Sequence, residues 1–370
     1  MMKNMFLNKR QHRLPSILAV LSLAGLLLAQ GCGSDNGDSK EGGAGASSSP
    51  AAFVAATATA PAPSETPKLN YPTRAIEYVV PFSAGGGVDL VARTVADALS
   101  KEWGQPVTIV NKAGAGGATG AQYALKQAAN DGYTVLADNV SNTTMLSAGF
   151  TDPAVKLEDH EFVARIVKDA PVFVVNADAP WKDFKEFSDW AKAHPDQLTW
   201  TSVGPAGFTS FVVAEWLSEI GADFSKTRMV TTKGASESLP IVAGGNATLA
   251  VHTVNETFTL VKAGKLKVLA VLSPERSPYY PDVPTTAEQG VANLSVFWWT
   301  GVSFPKGTPA AIVTKWQEAI AKLTKDAAFL EKLKNLQLEP SYLAGADFTA
   351  ELTKEATYYT ELATRTAIRK

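Results

Sequence analysis

The chain has a single cysteine in 370 residues, which rules out an intramolecular disulfide and with it the small disulfide-stapled class of exported domain. Histidine is almost as scarce: beyond His12 there are only His160, His194 and His252, widely separated, with no H-E-x-x-H spacing and no cysteine cluster. A metal centre is therefore not expected. Lys plus Arg total 34 against 36 Asp plus Glu, and no basic run occurs in the body of the chain. Without a positive stripe to neutralise phosphates, nucleic acid is not expected as a partner. The chain also lacks a G-x-S-x-G elbow. The remaining nucleophile–base candidate is Ser202 with His252, but a histidine in a strand reads more simply as structural or ligand-lining. No enzyme activity and no cofactor are expected.

The positive charges that do cluster stand at the start. Lys3, Lys9, Arg10 and Arg13 precede an apolar run from Ile17 to Ala29, which ends at Ala29-Gln30-Gly31-Cys32. This is the pattern of a signal peptide over residues 1–31, too short to favour a spanning helix. It resembles a bacterial lipoprotein signal, which implies that Cys32 receives lipid and anchors the exported protein to a membrane on its outer side or in the periplasm. One departure is Ala29, where that pattern usually has leucine. The alternative, an ordinary export signal, would leave an exposed free thiol. Loss of the segment removes four basic and no acidic residues, taking the formal charge from −2 to −6. Residues 32–70 are Gly, Ala, Ser, Thr and Pro with scattered charges, and Phe53 is their only aromatic residue. Such a stretch buries too little apolar surface to offset chain entropy and is expected to be a flexible tether.

From Tyr71 onward, short apolar runs alternate with helical spacing. Ile76–Val80, Val107–Val110, Thr134–Ala137, Val172–Val175, Leu198–Thr201, Leu249–Val251 and Val268–Leu272 read as buried strands. Leu90, Val91, Val95, Ala98 and Leu99 fall on one helical face, as do Phe211, Ala214, Glu215 and Leu217; residues 309–323, 327–333 and 348–366 read as closing helices. This alternation predicts an α/β protein with mostly parallel sheets flanked by helices. Ligands of such sheets bind where loops leave the carboxyl ends of strands.

Four of those loops carry candidate chemistry. Phe82-Ser83-Ala84-Gly85-Gly86-Gly87-Val88-Asp89 leads from the first strand into a helix, whose N-terminus presents unpaired N–H groups to an anion. Asp89 is either a cap that orders the loop or an acceptor for a ligand donor. Gly114 to Gly120 misses the dinucleotide spacing, since Thr119 stands at the third glycine, and is expected to serve strand-to-helix packing. Asn139 and Ser141 lie in a polar run after the third strand. Ser202, Gly204, Thr209 and Ser210 lie in a fourth loop whose hydroxyls and amides suit a carboxylate, although helix capping alone explains similar sequences. Trp298 and Trp299 are candidates for stacking or for a cleft wall.

Ordered along the chain, several segments resemble the extracytoplasmic receptors of tripartite tricarboxylate transporters, the Bug family. They are Tyr71-Pro72-Thr73-Arg74, Val79 to Asp89 with Ala92-Arg93, Gln105-Pro106-Val107, Asn111-Lys112, Gly114 to Gly120, Asp131-Gly132-Tyr133-Thr134, Lys233-Gly234, Pro281 to Thr285 with Glu288-Gln289-Gly290, and Trp299 to Gly301 with Pro305, Thr308 and Pro309. The resemblance implies a two-lobed periplasmic-binding-protein fold, type II-like. One lobe would comprise 71–173 and 297–370 and the other 174–296, with hinge crossings near Val172–Asn176 and Leu294–Trp298. It also implies a monomer that closes on a small carboxylate (di- or tricarboxylate, amino acid or aromatic acid), holds it at Ser83–Asp89 with Lys233 and His252 on the other lobe, and hands it to membrane permease subunits. The alternative partner is a signalling protein. The sequence departs from the family at Val230-Thr231-Thr232 and at Phe211, which places ligand identity at Thr231, Thr232 and Phe211.

Overall fold

The computed structural model describes residues 69–294 and 296–369. The expected signal peptide, Cys32 and all of the expected tether except Leu69 and Asn70 lie outside these residues. The strands are β1 (Ile76–Val80), β2 (Val107–Asn111), β3 (Thr134–Asn139), β4 (His160–Asp169), β5 (Pro171–Asn176), β6 (Thr199–Ser202), β7 (Arg228–Thr231), β8 (Ala250–Thr253), β9 (Leu266–Val271), β10 (Trp298–Pro305) and β11 (Pro340–Ala344). The helices are α1 (Gly87–Trp103), α2 (Ala118–Gln122), α3 (Leu146–Gly149), α4 (Phe184–Ala193), α5 (Phe208–Glu219), α6 (Ala235–Ala243), α7 (Val254–Lys262), α8 (Ala310–Leu323), α9 (Ala327–Asn335) and α10 (Gly345–Arg365).

One lobe is built on a six-stranded sheet of order β11-β4-β10-β3-β1-β2, the other on β8-β5-β9 and the pair β6-β7. Strand β1 is apolar nearly throughout because helices cover both of its faces, and it runs parallel to β2 and β3. Strands β6 and β7 are parallel too. Parallel pairing is narrower than alternation suggests: β10 runs antiparallel to β3 and β4, β11 to β4, and β5 to β8 and β9. For β5 and β10 the physical reason is the crossover. The chain leaves the large sheet at Asp169 and enters the small one at Pro171 with Ala170 alone between them, and it returns between Val271 and Trp298. A strand that arrives from the other lobe need not share the direction of a β-α-β unit. Strand β5, within which the expected boundary at 173/174 falls, pairs wholly in the three-stranded sheet.

Each lobe has its own aromatic cluster. Trp316 meets Tyr78, Trp103 and Phe304 edge-on under the large sheet. Phe173, Phe184, Phe187 and Trp216 pack together in the other lobe. Fully burying one such ring is worth about 1.5–3 kcal/mol, and both clusters belong to one apolar core that continues between the lobes.

Candidate functional site

Four helices among the described residues begin at one small cavity between the lobes. Its wall holds Gly86 and Gly87 at the start of α1, Phe208 and Thr209 at the start of α5, Gly234 and Ala235 at the start of α6, and Glu256 in the first turn of α7. Each helix start carries N–H groups without a partner inside the helix and the positive end of a helix dipole; the Gly87 and Phe208 amides find theirs in Glu256 and Ser141. The cavity measures about 50 Å³; a water-sized sphere needs ~10–15 Å³ on the same kind of measure, so the space suits a short solute.

Loop geometry explains the glycines. Gly85 has φ 82°, in the left-handed region. At Gly87 the reason is space: a Cβ there would stand 3.1 Å from the Trp298 ring and 3.2 Å from Glu256 Oε1. Asp89 orders the turn. Its Oδ2 accepts from the Gly85 amide at 2.9 Å and from Arg93 Nε at 2.8 Å, while Oδ1 accepts from Arg93 Nη2 at 3.0 Å and Asn111 Nδ2 at 2.9 Å. Burial by itself would raise the pKa of this carboxyl, but Arg93, the Gly85 amide and Asn111 together hold it below the usual carboxylate range. With its acceptor positions spent, Asp89 acts as the organiser of the loop.

The lobes are in hydrogen-bonding contact across the cavity. Ser83 Oγ lies 2.9 Å from Ser236 Oγ, the Ser83 amide donates to the Lys233 carbonyl at 3.1 Å, and the Phe208 amide donates to Ser141 Oγ at 3.1 Å. The Gly87 amide donates to Glu256 Oε1 at 2.9 Å. Glu256 Oε2 lies 2.8 Å from His252 Nδ1, and His252 Nε2 lies 2.8 Å from Ser238 Oγ. Burial would raise the Glu256 pKa, yet His252 and the hydrogen bonds from the Gly87 and Thr253 amides keep it below the ordinary value.

Among the residues singled out in the sequence, Phe82, Ser83, Gly86, Gly87, Asp89, Asn139, Ser141, Ser202, Thr209 and His252 line this cavity. Ala84 and Gly85 are exposed and stand off it. Ser210 is buried behind the wall, donating to the Gly204 carbonyl at 2.7 Å. Gly204 and Lys233 instead line a second, larger cavity of about 440 Å³, which shares Val203 and Thr232 with the first. Several lining side chains spend their polar atoms internally: Asn139 Nδ2 donates to the Trp299 carbonyl, Thr209 Oγ1 to the Val251 carbonyl and Ser202 Oγ to the Gly204 carbonyl.

The placement of ligand identity at Thr231, Thr232 and Phe211 is corrected in part. Phe211 is fully buried, its ring 5.4 Å from Tyr359, so it belongs to the packing between lobes. Thr231 is exposed at the second cavity, and only Thr232 lines the first. Of the tryptophan pair, Trp298 forms cavity wall, while Trp299 is buried with its Nε1 donating to Glu355. The lining also takes in Val88, Val203, Phe208 and Gly234, which lie within segments the sequence marked, and Ala235 and Glu256, which lie outside them. The signal for Glu256 was its place four residues after His252 at the start of a helix.

The family profile described as "Tripartite tricarboxylate transporter family receptor" matches residues 91–359. The UPF0065 protein in the gbd 5' region of Cupriavidus necator is 32% identical over 310 residues, covering 82% of this chain and 92% of the relative. The solved structure of the periplasmic binding protein BugD superposes with a TM-score of 0.75 at 26% identity, covering 81% of this chain and 100% of that one. MatC from Rhodopseudomonas palustris, solved with bound malate, gives 0.73 at 26% identity, covering 79% and 99%.

Proposed function

This chain belongs to the tripartite tricarboxylate transporter receptor family, and from that premise we propose that it is an extracytoplasmic receptor that shuts its two lobes on one small carboxylate and delivers it to membrane permease subunits. The observation that carries the reading is the convergence of the N-termini of α1, α5 and α6 on one interlobe cavity, a ready site for negative charge. Malate in MatC is a ligand of the same class. Ser83, Gly86 and Ser141 supply the first contacts, beside Gly87 and His252, whose polar atoms Glu256 and Ser238 engage. The lobes are read as residues 71 to about 170 with about 297–370, and the segment between. Closure is favoured by ligand because both lobes reach it only when shut. The protein works by binding and release, and as a monomer.

A thermal-shift panel of di- and tricarboxylates, amino acids and aromatic acids tests this reading. At least one should raise the melting temperature in a saturable way; a flat response to every class would remove the receptor role. The location outside the cytoplasm follows the family, and the anchor rests on the Lys3-to-Cys32 pattern. Cys32→Ser should move the protein from the membrane to the soluble fraction, and unchanged membrane retention would dismiss lipidation.

A further inference from the structure

Glu256 places a carboxylate of the protein's own where a ligand carboxylate was expected. It projects from the first turn of α7 in one lobe to the Gly87 amide of α1 in the other, and its side chain is 9% exposed. An ionised carboxylate has about four acceptor positions. Gly87 takes one at Oε1, while His252 at 2.8 Å and the Thr253 amide at 3.4 Å take those on Oε2. Oε1 therefore keeps a spare acceptor at the Gly86–Gly87 end of the cavity.

The charge inventory of the wall is lopsided. Its titratable members among the described residues are Asp89, His252 and Glu256, and no lysine or arginine lines it. Asp89 is matched by Arg93 and Asn111. A solute with two carboxylates and nothing else would set one of them against Glu256 at short range, whereas a solute with an ammonium beside its carboxylate meets an acceptor of opposite charge. Its carboxylate still has the Ser83 and Ser141 hydroxyls and the starts of α5 and α6. The cavity of about 50 Å³ keeps such a solute small.

We propose that Glu256 is the specificity-determining residue of this cleft and selects an amino-acid-type zwitterion over the hydroxy acid of the same carbon skeleton. This deepens, and rests on, the receptor reading. A purely structural latch between lobes would ask only for an oxygen facing Gly87, which glutamine also supplies; selection of an ammonium asks for the charge.

The test is calorimetric titration of the purified full chain with three matched pairs: aspartate and malate, glutamate and 2-hydroxyglutarate, alanine and lactate. The amino member of at least one pair should bind about tenfold or more tightly than its hydroxy partner, since the hydroxyl meets Glu256 as a neutral donor and the ammonium as a charged one. Glu256→Gln should bring that ratio close to one, its melting curve serving as the check on folding. Hydroxy acids that bind the wild type as well as or better than their partners overturn the inference and need no variant; so does a ratio that survives Glu256→Gln. If none of the six binds and the panel above finds another carboxylate, this inference alone fails. If neither finds a ligand, the receptor reading fails with it.

Discussion

Buried carboxylates at three positions respond to their surroundings in different ways. Asp89 is matched by Arg93, Asn111 and the Gly85 amide, and Glu256 by His252 and two amides. Glu355 receives hydrogen bonds from Thr144 Oγ1 at 2.7 Å and Trp299 Nε1 at 3.0 Å and forms no salt bridge among the described residues, and burial, only partly offset by these bonds and by Lys168, raises its pKa to about 7. A carboxyl with a raised folded-state pKa binds more protons folded than unfolded, so stability falls as pH rises from the unfolded value of about 4.3 to the folded one. The Glu355→Gln variant should therefore gain about 1–3 kcal/mol over the wild type at pH 8, with the difference vanishing below pH ~4, the size discounted for partial exposure. Denaturant unfolding across that range checks it, and a constant difference would deny the shift. Asp89 and Glu256, whose values are lowered, act in the opposite direction and lose their contribution as pH falls through the folded values.

Strand-to-loop-to-helix units explain why part of the site could be read in advance. An apolar strand followed by glycines and a helical pattern has one economical arrangement, and β1 with α1 adopts it at Ile76–Val80 and Gly87–Trp103. The same holds for the loop from Ser202 to Thr209. Strand β4 was not legible because His160, Glu161, Arg165, Lys168 and Asp169 break its apolar run; Arg165 is accommodated by Ser341 and Glu351 from elements far along the chain. Strand β7 is half-exposed, and β11 lies at the sheet edge, where burial patterning is weak. Glu256 was hidden for another reason: an acidic residue in a first helical turn is ordinary, and only the facing lobe shows what its second oxygen touches. The close approach at α1 gives a prediction for this element. Gly87→Val would drive a side chain into Trp298 and Glu256, so solute binding should fall by at least about a hundredfold, on the scale of a small-to-large insertion in a packed site. Titration of the folded variant measures this, and retained affinity would remove the start of α1 from the site.

For the molecule as a whole, the chain crosses between the lobes at Ala170 and between Val271 and Trp298, the contacts across the cleft itself are a small set of hydrogen bonds, and one apolar core continues from lobe to lobe behind it. Phe211 against Tyr359 adds an apolar contact away from the cavity. A small set of such bonds can be outweighed or reinforced by one ligand, since shifting a two-state balance needs only its differential affinity for the shut form. The two-lobed class was legible from the ordered motifs; the direction of the crossover strands was not, because periodicity records burial and not direction. Small-angle X-ray scattering of the purified protein, with and without saturating amounts of a solute shown by titration to bind, tests the central claim of capture by closure. A fall in the radius of gyration on saturation is the predicted result, and superimposable profiles would contradict it.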